Sequence, residues 1–299
     1  MATRTVSKTP SGRAFGSVLI FRNEAKPDSS RTLGLVCSLL KRRGVTVCDA
    51  DRAIARGSAA FTRCWKGADL AIALGGDGTM LRVAREVAPR GIPLLGVNIG
   101  TLGFLSGTEA DDLKLCVDSV LAGRFVIEER SMLSAEVLRG GRVLFGPDLA
   151  LNEVVIRCGE QARAITLSTR SGERFVADYF GDGLIVATPT GSTAYSLAAS
   201  GPIVDPSLDV TLVAPICPHT LTQRPLIVPA HLPLTIRLGK RREGEAPAVL
   251  VSLDGRSGCE LRIGDEVRVR RAQTPLRLLL PPGRSFFEVL RRKLKWGQR

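Results

Sequence analysis

Asp69-Leu70-Ala71-Ile72-Ala73-Leu74-Gly75-Gly76-Asp77-Gly78-Thr79-Met80-Leu81 passes from an apolar run, through three glycines and one acid, into a helical pattern. Residues 69–74 read as a strand too short for a buried helix. Residues 79–88 read as a helix, with Met80, Leu81, Ala84, Val87 and Ala88 on one face, closed by Pro89 and Gly91. Residues 93–97 return as a strand. Strand, turn, helix, strand is the β-α-β unit, and it predicts a parallel sheet.

Upstream the same alternation holds. Residues 17–21 form a short apolar strand, and 30–43 a helix with Leu33, Val36, Cys37 and Leu40 at i, i+3, i+4 and i+7. Lys41, Arg42 and Arg43 suit the negative end of its dipole, Gly44 ends it, and 45–48 is a second strand. A further helix is expected over 111–122. The reading is an α/β domain with a Rossmann-like parallel sheet over 1–122.

From about residue 125 short β-rich runs follow one another, punctuated by Gly and Pro: 132–138, 151–157, 164–168, 174–179, 183–187, 212–214, 234–238, 250–253 and 266–270. They predict a second, mostly antiparallel β-rich domain over 123–282. The tail, 283–299, is helical again. Ser285 and Glu288 form a capping box, and Phe286, Leu290 and Leu294 line one face. A lone helix after a β domain needs a surface to cover that face, so it is expected to pack back on the first domain.

Composition bounds the function. With 299 residues and 44% hydrophobic content the chain has ample material for a core. Its apolar runs are far too short to span a bilayer, and its polar first residues contain no apolar signal region. A soluble, cytoplasmic protein is expected, with no membrane partner. Seven dispersed cysteines without a CxxC pair, and only two histidines, argue against a zinc cluster and fit reduced thiols. The net charge of +13 invites a nucleic-acid reading. Against it, the basic residues are spread along the chain, and only 5% of residues are aromatic. A positive field also suits a polyanionic small substrate, a dinucleotide or nucleoside triphosphate, and no nucleic-acid partner is expected.

Three pieces carry chemistry. In Gly75-Gly76-Asp77-Gly78-Thr79 the glycines suggest positive φ and close ligand approach, and their N–H groups with the helix N-terminus suit an anion. Asp77 adds one carboxylate that can accept a hydroxyl proton or hold a metal ion. A plain hairpin also uses Asp-Gly, but a helix follows here. A second glycine-rich turn, 96–104, follows the 93–97 strand at its carboxyl end, where ligands bind in such sheets, although an ordinary flexible connection explains the spacing equally well. Asn152-Glu153 opens a strand; Glu can accept from the two hydroxyls of a ribose, although on the residues alone a polar strand edge is the better explanation of the pair. Thr188-Pro189-Thr190-Gly191-Ser192-Thr193-Ala194-Tyr195 joins a strand to a short helix. It offers several hydroxyls and one of two tyrosines to a single ligand; a helix cap would explain Ser192 or Thr193 alone.

Taken together these pieces resemble the NAD kinases, from about residue 75 to 296. The glycine-aspartate turn alone is shared with diacylglycerol and sphingosine kinases; the octet with Gly201-Pro202 separates the NAD kinases from them. The resemblance implies phosphoryl transfer from ATP, another nucleoside triphosphate or polyphosphate to the 2′-hydroxyl of the adenosine ribose of NAD, giving NADP. It implies Asp77 as proton acceptor, and Gly75, Gly76 and Gly78 as a phosphate cradle. It assigns the dinucleotide to Asn152, Glu153, Asp182, Thr190, Thr193, Ala194, Tyr195, Ser196, Leu197 and Ala198. Arg82 and Arg163 are implied partners for phosphate or ribose. A divalent ion, Mg²⁺, is expected to bridge the donor phosphates, with no protein ligand assigned. A homodimer or homotetramer is also implied. The chain departs from the family pattern at Phe180, where NAD-specific members place Arg, and at Arg256, where Gln is frequent. A lipid kinase and a basic nucleic-acid-binding module are the readings from other classes; both leave the octet unused.

Overall fold

A computed structural model of the chain describes residues 15–26, 28–55, 62, 64–100, 103–109, 112–159, 164–239 and 248–296. The chain forms two compact units, Met1–Glu129 with Leu276–Arg299, and Arg130–Pro275.

The first unit runs β1 (Ser17–Arg22), α1 (Ser29–Arg42), β2 (Thr46–Asp49), α2 (Ala50–Ala55), β3 (Leu70–Gly75), α3 (Asp77–Val87), β4 (Leu94–Asn98), β5 (Thr108–Glu109), α4 (Leu113–Leu121) and β6 (Val126–Arg130). β1 pairs in parallel with β2 and β3, and β3 with β4. Every residue of β3 and β4 is buried. A central parallel strand has both faces covered, so its sequence is apolar throughout rather than alternating. Val36 and Leu40 of α1, with Cys116, Val117 and Val120 of α4, close over Val18, Ile20, Ile72 and Leu95. Burying such side chains is worth roughly 1.5–3 kcal/mol each.

The second unit is two antiparallel sheets. Its elements are β7 (Leu133–Arg139), β8 (Arg142–Ala150), β9 (Glu153–Cys158), β10 (Ile165–Ser171), β11 (Arg174–Gly181), β12 (Gly183–Ala187), α5 (Tyr195–Ala198), β13 (Val210–Ile216), β14 (Leu226–Pro229), β15 (Leu234–Leu238), β16 (Val249–Leu253), β17 (Arg256–Leu261) and β18 (Glu266–Arg271). One sheet has the order β11-β10-β15-β18-β7-β8, the other β14-β13-β12-β9-β16-β17. Ala135, Val137, Leu167, Ile236 and Val267 of the first meet Val154, Ile156, Leu184, Val186 and Val251 of the second in one core. The other face of β12, through Ile185 and Ala187, packs on Val204, so this strand too is apolar on both sides.

The chain then returns to the first unit through β19 (Leu276–Leu280), parallel to β4 with Leu278 opposite Leu94, and α6 (Phe286–Leu294). Ser285 caps α6 by accepting the Glu288 N–H at 3.2 Å. Val289 and Leu290 are its buried residues, and Arg292 pairs with Glu109 at 3.0 Å, so the tail packs on the α/β unit as the sequence predicts.

Three differences from the sequence reading have physical causes. The units divide at 129/130 and 275/276, inside the expected β-rich span of 123–282, because β6 and β19 are strands of the first sheet. β8 escapes an alternation reading because Gly146-Pro147 interrupts it. Cys48 and Cys64 form a disulfide with Cα atoms 5.8 Å apart, which corrects the expectation of seven reduced thiols. The two are sixteen residues apart, and no short spacing motif announces them.

Candidate active site

β3 ends at Gly75 and α3 begins at Asp77, so the glycine-aspartate turn lies at the carboxyl end of a central parallel strand. None of its glycines has positive φ, which corrects the conformational argument for them. Only Gly75 is required for space. A Cβ on Gly75 would lie 2.2 Å from Thr79 Oγ1. One on Gly78 would meet nothing within 4 Å, so Gly78 leaves bare backbone facing open space. Gly76 and Gly78 help to wall a cavity of about 1000 Å³ together with Arg22, Lys26, Thr79 and Arg82.

Asp77 is gripped from the second glycine turn. Its Oδ2 accepts the Phe104 N–H at 2.9 Å and its Oδ1 the Leu105 N–H at 3.2 Å. This approach needs Gly103, where a Cβ would lie 2.1 Å from Oδ1. A carboxylate has about four acceptor positions, so these two bonds leave room for a substrate hydroxyl.

Arg82 points to the cavity but is already engaged. Its guanidinium donates to Asp51 at 2.7 Å and to the Arg22 carbonyl at 3.1 Å, while Asp51 also accepts the Arg22 N–H at 2.7 Å. Asp51 therefore fixes Arg82 against the end of β1. Arg163 lies outside the described residues.

In the second unit the Asn152-Glu153 pair and the octet come together. Asp254, in a turn with φ of +48°, accepts the N–H groups of Leu151, Asn152 and Glu153 at 2.9, 2.8 and 3.2 Å. The Thr188 hydroxyl donates to the Leu151 carbonyl at 2.6 Å and accepts the Gly191 N–H at 3.0 Å. Gly191 lies flat on Asn152: a Cβ there would be 2.2 Å from the Asn152 carbonyl oxygen. Glu153 is 7% exposed, and its carboxylate accepts the Tyr195 N–H. Burial, and then the nearby charge of Asp254, raise its pKa to about 7. Glu153 Oε2, Thr190 Oγ1 and Ser196 Oγ are buried without a hydrogen-bond partner in the structure. Unpaired buried polar atoms in a native protein call for a ligand, a water or another explanation. Glu153 and Tyr195 also line a cavity of about 380 Å³ with Arg157, Ser252, Gly255 and Ser257.

The octet is not uniformly outward. Ser192 is fully buried, and its hydroxyl joins Pro189 to Val204, an internal role. Thr193 bonds the Thr190 carbonyl at 3.3 Å; Ala194 and Leu197 are half-buried, and Tyr195 and Ala198 are exposed. Asp182 does not join the group. It precedes β12 whereas Thr188 follows it, a separation of about 20 Å along an extended strand. There it lies 3.9 Å from His219, whose ring meets Phe180 edge-on at 5.2 Å. Arg256 pairs with Asp148 at 2.7 Å.

Comparison with known proteins bears on the same residues. The model of the ATP-NAD kinase N-terminal domain matches residues 56–125, and that of the ATP-NAD kinase C-terminal domain matches residues 151–280. The chain belongs to the NAD kinase family. Relatives named NAD kinase include that of Geobacter metallireducens, 46% identical over 78% of this chain and 80% of its own length. That of Symbiobacterium thermophilum is 49% identical over 77% and 80%, and that of Syntrophobacter fumaroxidans 42% over 94% and 99%. In fold the chain is similar to yeast NADH kinase complexed with NADH (TM-score 0.82, 23% identity, 95% and 89% covered). It is also similar to an Archaeoglobus fulgidus NAD kinase in complex with ATP (TM-score 0.72, 22% identity, 93% and 98% covered). It is an enzyme, an NAD kinase, and its α/β and antiparallel units carry the N- and C-terminal domains of the family.

The sequence reading passed over Asp51 and Lys26, noted Gly103 only as one glycine of the 96–104 turn, and gave Asp254 no role of its own. The Asp254-Gly255 dipeptide is a turn signal, and Lys26 stands just past a parallel strand's carboxyl end; both were available cues. Contacts across the sequence, such as Asp254 to the Leu151–Glu153 amides, leave no local trace.

Proposed function

We propose that the chain transfers the terminal phosphoryl group of ATP to the 2′-hydroxyl of the adenosine ribose of NAD. The ribose oxygen forms a bond to the γ-phosphorus, the bond from that phosphorus to the bridging oxygen breaks, ADP leaves, and the hydroxyl proton passes to Asp77. The observation that carries the reading is the setting of Asp77. It is a half-buried carboxylate with acceptor capacity left over, in the turn whose Gly76 and Gly78 wall the larger cavity. The backbone there suits donor phosphates. The buried, unpartnered Glu153 Oε2 and Thr190 Oγ1, beside Tyr195, suit ribose hydroxyls and a ring of the dinucleotide.

Among the described residues no three His, Cys, Asp or Glu side chains gather into a metal cage. Mg²⁺ keeps several waters and binds through substrate phosphates and one or two carboxylates. Such an ion would offset charge on the donor, and the carboxylates near the glycine turn are Asp77 within it and Glu24, Asp49 and Asp51 on the wall of the cavity. Another triphosphate or polyphosphate as donor, a cytoplasmic setting, a homodimer or homotetramer and the absence of a nucleic-acid partner complete the proposal. Among the described residues no helix is long and apolar enough to cross a membrane.

The test is to incubate the protein with NAD and ATP–Mg²⁺ and identify the product by ³¹P NMR. A phosphate monoester on the 2′-oxygen is expected. No NADP, or a phosphate at another position, would contradict the reading.

A further inference from the structure

Among the described residues two cations that line the larger cavity, Lys26 and Arg52, stand outside its ion pairs, and Asp49 beside Arg52 accepts only that residue's backbone N–H. Arg22 pairs with Glu24 at 2.8 Å, and Arg82 with Asp51 at 2.7 Å. Lys26 has no carboxylate partner among the described residues. Its Nζ donates to the Ile99 carbonyl, which anchors the ammonium without neutralising it and leaves two of its three donors available. A Cβ on Gly76 would lie 3.8 Å from Nζ, and one on Gly100 only 3.1 Å. Gly100 has φ of +119°, so that residue combines an unusual backbone with the absence of any side chain in front of the lysine. The ammonium thus stands between the two glycine turns, at the carboxyl ends of β3 and β4, and lines the cavity with Gly76 and Gly78.

We propose that Lys26 is a donor-binding residue, its ammonium held by Ile99 to neutralise a phosphate of the ATP chain laid along Gly76 and Gly78. The inference rests on the reading of ATP as phosphoryl donor. It assigns Lys26 to the donor rather than to NAD because a triphosphate carries roughly twice the negative charge of a dinucleotide pyrophosphate. The polar atoms that suit ribose lie in the other unit, around Glu153. Lys26 is held by the turn that also grips Asp77, so donor binding and that grip share one loop.

Lys26→Gln keeps a donor for the Ile99 carbonyl and removes only the charge; Lys26→Arg keeps the charge. In steady-state assays the Gln variant is expected to raise the KM for ATP about 10- to 100-fold and to leave the KM for NAD within about twofold. The Arg variant is expected to recover most of the loss. An unchanged ATP KM in the Gln variant, or a rise confined to NAD, overturns the proposal. Equilibrium dialysis of labelled ATP without NAD separates this from the reading of the activity. Wild-type protein that binds ATP, with binding lost in the Gln variant, upholds Lys26 even if no NADP forms. Equal ATP binding by the two overturns it.

Discussion

Glu153 is the residue whose surroundings make the sharpest statement. It is buried, a second carboxylate lies nearby, and its pKa stands at about 7 against an ordinary 4.5. A raised carboxyl pKa means that the folded protein holds a proton the unfolded chain has released between those values. Stability therefore falls as pH rises from about 4.5 to about 7, by roughly 3 kcal/mol in all. Glu153→Gln should remove this dependence. Urea midpoints at pH 5 and 7.5 should differ less in the variant than in wild type, and equal slopes would refute the assignment. The ionised form is the one that accepts ribose hydroxyls, so wild-type affinity for NAD should rise as pH passes through 7, and the Gln variant should lose that rise. Asp77 and the octet stood out in the sequence by residue type and setting, and Asn152-Glu153 only through the resemblance to the NAD kinases. Lys26, Asp51 and Asp254 did not stand out, because each acts on a partner distant in sequence: Ile99, Arg82 and the Leu151–Glu153 amides.

At the scale of elements, turns rather than helices or strands set the candidate site. The second glycine turn closes on Asp77 only because Gly103 has no side chain. Gly103→Ala would push a methyl into the carboxylate, so either the turn or Asp77 must shift. The expected cost is about 1–3 kcal/mol of stability and, as Asp77 moves, at least about tenfold in kcat. Thermal unfolding and steady-state rates measure both; a fully active and fully stable variant would show that the grip on Asp77 is dispensable. The elements most legible in sequence were those with one clear period, such as α1 and β15, and the short unbroken apolar run of β3. β14 and β17 were missed: the first is four residues long, and the second carries Gly258 and mixed polarity. β19 was missed because an apolar pentapeptide after a run of antiparallel strands gives no sign that it belongs to another sheet.

For the molecule as a whole, two cores of different architecture carry the two groups of candidate residues. One unit holds Asp77 and its glycine turn, the other Glu153 and the octet. This division was legible as a change of period near residue 125, although pairing in space, not composition, decides where β6 and β19 belong. The charge of +13 is spread over both units rather than drawn into one stripe, which fits anionic small substrates. The account stands or falls on the claim that Asp77 takes the proton of a ribose hydroxyl. Asp77→Asn keeps the size of the side chain and one acceptor for the Phe104 and Leu105 amides. Single-turnover and steady-state rates of NADP formation, with NAD affinity by calorimetry on the same preparation, test it directly. The account predicts a fall in kcat of about 10²–10⁴-fold, with NAD affinity changed by no more than about threefold. A kcat near that of wild type, in a variant that binds NAD normally, would reduce Asp77 to a turn residue and contradict the account.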